Sequence, residues 1–297
     1  GFECKSLNSY LYCSENTKIF AGELNSKGDL LHVIGHILGG QHPKSKNYNS
    51  CLTVFSNEKC VPDYQVFQYP RLDKLLYQNR FDAPKLTNSS GNQYLPSSLM
   101  LYDIEAAQAL YGANNEYNSG NTTYYFDGKN HNLSCIWDGG GEDTIDTRAY
   151  EHEVNIDLRT GKENVNIVGN EIFWISFYVE IENVLTGDGN DIIYCNKFEN
   201  RINPGKGENI IYNNIGDGKK FVFAYGHDKI KDFRPIDKII LPTELSSQLA
   251  EIFHDDYYSA NISFRNNQIL DFKEEGSIEI FMVGMYNFLT IDNFEFN

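Results

Sequence analysis

The sequence has no run approaching the roughly 20 apolar residues that a membrane-spanning helix requires, so a helical membrane span is excluded. It has no Cys-x-x-Cys pair, which removes the usual zinc knuckle. Proline is scarce, with 8 in 297 residues. Positive charge is also short: 25 Lys and Arg stand against 41 Asp and Glu, leaving −16. That balance argues against nucleic acid or an anionic membrane as partner. The chain starts at Gly1 without an initiator Met or a signal peptide, and the expectation is a processed chain whose address has been removed.

What is present points to strands. Twenty Tyr and 19 Phe favour extended structure, and 24 Gly against so few Pro suit short strands joined by tight turns. The length has room for one large or two medium domains. Six cysteines include two pairs nine apart, Cys4 with Cys13 and Cys51 with Cys60, each closing a small loop, and leave Cys135 and Cys195 as a long-range pair. Four Asn-x-Ser/Thr sequons occur, at Asn88, Asn121, Asn132 and Asn261. With the even cysteine count they predict a secreted, disulfide-bonded glycoprotein.

The chemistry is concentrated in Asp29-Leu-Leu-His-Val-Ile-Gly-His-Ile-Leu-Gly-Gly-Gln-His-Pro43. Leu30, Leu31, Ile34, Ile37 and Leu38 recur at helical spacing, and Asp29 suits the positive end of a helix. His32 and His36 are four apart, so both rings leave one face. Gly39 and Gly40 allow a helix-ending turn that swings His42 toward them. Three imidazoles from a helix and the turn after it predict a zinc site with an open fourth position.

This run resembles the H-E-x-x-H-x-x-G-x-x-H signature of the metzincins, in its serralysin form, with Gly35, His36, Leu38, Gly39, His42 and Pro43 matching. The resemblance implies zinc held by His32, His36 and His42. One position departs, because Val33 stands where the motif has Glu. That Glu moves the proton from metal-bound water to the leaving amine, and a general acid–base group is worth about 100- to 10,000-fold in rate. No catalytic residue is therefore assigned. In Tyr64-Gln-Val-Phe-Gln-Tyr69, the resemblance puts Phe67 where the family has a Met under the zinc, and Tyr69 where it has a Tyr ligand. A plain strand with alternating aromatics is the other reading of the same stretch. Only 31 residues precede His32, so the expectation is that the cleft wall is lost or supplied by a companion N-terminal fragment.

Pro96 to Asn114 reads as a helix, capped by Ser97 or Ser98, with a stripe of Leu99, Ile104, Ala107 and Leu110, and stopped at Gly112. Its ending, Asp103 to Asn114, is serralysin-like and is given no chemistry. Beyond it lie short strands and turns. Trp137-Asp-Gly-Gly-Gly-Glu-Asp-Thr-Ile-Asp146 offers Asp138, Asp143 and Asp146 to a calcium ion. The nonapeptide G-G-x-G-x-D-x-U-x, which builds a calcium-binding parallel β-roll, matches Thr186–Tyr194 and Pro204–Tyr212. A third copy at Ile215–Phe223 places Lys220 at the carboxylate position. Gly187, Asp188, Gly189 and Asp191 are the calcium ligands expected to survive. Asp232 and Asp237 read by default as surface carboxylates beside the roll, with capping of roll calcium as the other reading, and Ile278–Phe281 and Phe288–Ile291 as closing sandwich strands.

The expected architecture is α+β: a partial metzincin-like zinc-helix domain over residues 1–115, then a mostly-β parallel β-roll and sandwich over 116–297. The expected function is a secreted serralysin-like pseudoprotease with zinc and calcium, acting on a protein partner by binding or as a structural component. The alternatives are an active zinc endopeptidase completed by a missing fragment, and a metal-free adhesion or structural module.

Overall fold

A computed structural model describes residues 93–161, 164–214, 216–246, 277–282 and 291–297. It also describes the strands Glu3–Leu7, Tyr10–Ser14, Leu76–Tyr77, Leu86–Thr87 and Gln93–Pro96, the strand Gln268–Asp271, and five helical residues, Lys27, Leu30, Leu31, Ile34 and Gly35. Leu31 and Gly35, four apart, lie on the inward side of their helix, while Leu30 and Ile34 are exposed. The apolar spacing in this run thus overstates the buried face.

Two sheets coil around one core. The second sheet is parallel throughout, in the order Phe294–Phe296, Lys238–Leu241, Lys219–Val222, Asn200–Asn203, Asn183–Leu185, Thr144–Asp146 and Thr123–Tyr125. The first sheet contains a parallel block facing it: Val154–Asp157, Ile192–Tyr194, Glu208–Tyr212, His227–Phe233 and Ser277–Met282. The chain alternates between the sheets, so successive strands of one sheet stand about 18 residues apart, as Asp191 and Asn209 do. Two strands per turn is the arrangement the spacing of the first two nonapeptides implies.

The register explains the core. Ile156, Ile193, Ile211, Ile230 and Ile280 stack in one row of the first sheet. Ile145, Val184, Ile202, Phe221, Ile239 and Phe294 stack in the second. All are buried in a single cluster. Each strand is only three to seven residues long, so one or two inward apolar residues per strand, repeated turn after turn, carry most of the burial.

A second cluster joins the helix Leu101–Tyr111 to the sheet. Met100, Leu101 and Ile104 pack with Tyr94, Leu133, Cys135, Ile172 and Trp174, and Leu31 lies against the same group. The helix stops as expected at Gly112, whose φ is +83° and whose N–H donates to Gln108 O at 2.8 Å. Its start differs from the expectation. The cap residue is Met100, whose N–H donates to the Asp103 carboxylate at 2.9 Å. Ser98 instead accepts from Cys135 N–H at 2.8 Å and ties the segment to the neighbouring strand. Leu110 is 64% exposed, so the buried face is set by Leu101 and Ile104 rather than by the whole predicted stripe.

Cys135 and Cys195 are both free and buried, the first in the helix cluster and the second in the roll core, so the expected long-range disulfide is absent. Cys4 and Cys13 face each other in register across the antiparallel hairpin. Cys51 and Cys60 lie outside the described residues. Of the closing strands, Ser277–Met282 extends the roll sheet in parallel with His227–Phe233, and a further strand, Phe294–Phe296, pairs with Lys238–Leu241. Phe288 is outside the described residues.

Phe173 is fully buried and stacks on Phe126 with centroids 4.0 Å apart and planes 3° apart. Phe173→Ala is expected to cost about 3–5 kcal/mol, read as a shift in urea midpoint with an unchanged denaturant slope.

Candidate functional site

The roll brings the nonapeptide carboxylate positions into two ladders, one at the start of each parallel stack. In the first sheet the ladder is Asp191, Asn209 and Asp228. Val154 N–H donates to Asp191 Oδ1 at 2.9 Å, Asp191 N–H donates to Asn209 Oδ1 at 2.9 Å, and Asn209 Nδ2 donates to Asp228 Oδ1 at 2.8 Å. The other Asp191 oxygen is buried and makes no well-aligned hydrogen bond, with the Thr186 hydroxyl its side-chain neighbour. Burial raises Asp191 to about 6 and Asp228 to about 7.

The second ladder runs Asp143, Glu182, Asn200, Lys219 and Asp237, as the strand register fixes. Asp143 is fully buried. Its Oδ1 accepts from Thr122 N–H at 2.8 Å, and its Oδ2 is without a partner. Asp143 N–H donates to Glu182 Oε2 at 2.6 Å. Burial raises the Asp143 carboxyl to about 6, and the nearby Asp138 and Glu182 charges add to that shift. Asp138 has its oxygens engaged by Tyr124 OH at 2.5 Å and Gly140 N–H at 2.7 Å.

A lone buried oxygen on a carboxylate is costly unless something electropositive meets it. Calcium takes such oxygens together with backbone carbonyls. Asp143 and Asp191 are therefore the carboxylates that could offer an oxygen to the ion, with backbone carbonyls supplying the rest. The turns stack closely enough to share carbonyls: a Cβ on Gly205, where φ is +66°, would fall 1.9 Å from Gly187 O, and one on Gly207 would fall 2.2 Å from Gly189 O.

Other expected ligands are placed differently. Asp146 is held by Arg148, with Nη2 2.6 Å from Oδ2 and Nε 3.0 Å from Oδ1, and this pairing keeps its carboxyl below the ordinary range. Asp188 points to solvent and sits 3.7 Å from Lys206 Nζ. Among the described residues, no three His, Cys, Asp or Glu side chains form a ready metal cluster. Any ion here would lean on backbone oxygens.

Two expectations for the third nonapeptide are overturned. Phe221, not Val222, faces Ile202 in the core row, which shifts the frame by one. Lys219 thus takes the carboxylate position, fully buried, while Lys220 faces outward 3.5 Å from Glu199. Asp237, read as a surface group, is fully buried and accepts from Lys219 N–H, Arg234 N–H and Asn213 Nδ2 at 2.7–2.9 Å. The signal for both was the position two residues before each inward apolar residue. Glu182, before Val184, belongs to the same set and was passed over.

His32, Val33, His36, His42 and Tyr69 lie outside the described residues, as do Asn88 and Asn261. Asn121 is exposed at a turn, where its Oδ1 accepts from Glu142 N–H. Asn132 is half-buried within the strand Asn132–Ile136, paired on both sides.

These features define a parallel β-roll with ladders of polar residues at its turns. Residues 101–294 match the model described as "Peptidase M10 serralysin C terminal", and the chain belongs to that family. It is 30% identical over 185 residues to "Metalloprotease AprA" of Pseudomonas entomophila, covering 58% of this chain and 37% of that protein. It is 29% identical over 217 residues to "Serralysin" of Proteus mirabilis, covering 66% and 40%. Over 192 residues it is 31% identical to "Serralysin" of Photorhabdus laumondii, covering 58% and 37%. The chain spans about two fifths of the length of the P. mirabilis relative.

Proposed function

We propose that this protein is a secreted, serralysin-type binding protein that does not cut peptides. It holds zinc through His32, His36 and His42, with Tyr69 as a further ligand, and calcium on its roll. It engages a protein partner, or a companion fragment of the same precursor, through that scaffold. The observation that carries the reading is Val33, an isopropyl group where the family's zinc peptidases place the carboxylate that moves protons. The names of the relatives, metalloprotease and serralysin, support the descent of the zinc run. Calcium is supported by the lone buried oxygens of Asp143 and Asp191. Of the two described sequons, the exposed Asn121 is better placed to carry a glycan than Asn132 in its strand.

The test is hydrolysis of an unfolded protein substrate by the purified chain, with zinc and calcium supplied, beside the Val33→Glu variant. The wild type is expected to show no chelator-sensitive cleavage. Cleavage by the wild type that disappears with chelator would overturn the reading. Cleavage by the variant alone would show that the missing base is what silences the site.

A further inference from the structure

The corner of the roll around residues 216–218 differs from the other turns in what fills it. Phe198 O, Asp217 O, Gly216 O and the Asp237 carboxylate gather there, an oxygen set of the kind that holds a hard cation. Two side chains of the protein occupy it. Lys219 Nζ lies 2.5 Å from Phe198 O and 2.6 Å from Asp217 O, with the whole residue buried. Arg234 donates from Nη1 to Gly216 O at 2.7 Å, from Nη2 to Asp217 O at 2.7 Å, and from Nη2 to Asp237 Oδ1 at 3.0 Å. The turns also touch here, since a Cβ on Gly216, where φ is +150°, would fall 1.8 Å from Lys197 O.

We propose that Lys219 and Arg234 are built-in cations that take the place of calcium at this corner, so that this part of the roll closes without metal. The reasoning is electrostatic. Stacked turns aim carbonyl oxygens at one another, and a positive charge between them removes the repulsion. At Asp143 and Asp191 the oxygens are anionic and no side-chain cation among the described residues is paired with them. At the 216–218 corner a lysine occupies the ladder position itself, and its long stem threads the core side of the turn. The two positive groups stand side by side, and Asp237, hydrogen-bonded to the backbone N–H groups of Lys219 and Arg234, offsets their repulsion. A divalent ion does not fit beside them, because the oxygens it would use are already taken by ammonium and guanidinium protons. The contrast with the other turns rests on the calcium reading proposed above; the occupancy of this corner does not.

Amide hydrogen exchange on the full chain tests it. In chelator, exchange at residues 192–194 is expected to speed up about tenfold or more relative to calcium, while residues 219–222 change by less than about threefold. Parallel acceleration of both stretches would overturn the proposal. If neither stretch responds, the calcium reading fails and the corner is judged by Lys219→Ala alone. That variant is expected to speed exchange at 219–222 about tenfold, and millimolar methylammonium or calcium should slow it again by refilling the cage. No acceleration in Lys219→Ala, or acceleration that neither cation reverses, would contradict a cation role. Should the variant fail to fold, the chelator comparison on the wild type decides.

Discussion

In metal-free buffer three buried carboxyls are expected to lower stability as pH rises from about 4 to about 7. The groups responsible are Asp143, Asp191 and Asp228, with carboxyls raised by burial to about 6, 6 and 7. The sign follows from linkage. Each is protonated more readily in the folded chain than in the unfolded one, so the folded state holds more protons within that window. Their contribution is complete below the ordinary carboxylate range and is lost as pH passes the folded value. On the calcium reading proposed above, the ion reverses the part of this trend that comes from Asp143 and Asp191, because it binds the ionised form. The increase in thermal midpoint on adding calcium should therefore be large at pH 7.5 and small at pH 5. A calcium effect equal at both pH values would show that these carboxylates are not the ligands.

Gly205→Val is expected to produce a large loss of stability from a single side chain. The backbone at Gly205 has φ of +66°, and the new Cβ would overlap Gly187 O at 1.9 Å and Thr186 O at 2.9 Å. Left-handed strain costs on the order of 1–3 kcal/mol and overpacking against an immobile carbonyl as much again, so about 2–6 kcal/mol is expected. Gly112→Ala makes the comparison. Its φ is +83° with nothing within 4 Å of the new Cβ, so it isolates the strain alone. Urea unfolding of both variants separates the two contributions, and equal losses would mean that turn stacking contributes little.

The roll was legible because its repeat ties a glycine turn to one inward apolar residue at fixed spacing, and Ile193 and Ile211 sit where that pattern puts them. The third turn was misread by one residue because Lys219 and Lys220 adjoin and Phe221, Val222 and Phe223 are all apolar, so the letters alone do not choose a register. The choice is made by pairing with Asn200–Asn203, a contact between strands that no local pattern contains. The fate of the carboxylates was equally non-local. Asp146 and Asp143 look alike in sequence, yet one meets a guanidinium two residues on and the other meets only carboxylates and a backbone N–H. Cys135 and Cys195 failed as a pair for the same reason: parity says that two cysteines remain, not that one core contains both.

The most direct test of the whole account is the zinc and calcium content, per chain, of natively purified protein. The account predicts about one zinc per chain, on His32, His36 and His42, together with calcium that chelator removes. Protein that folds normally with neither metal would contradict it, and would move the function to a metal-free surface of the roll.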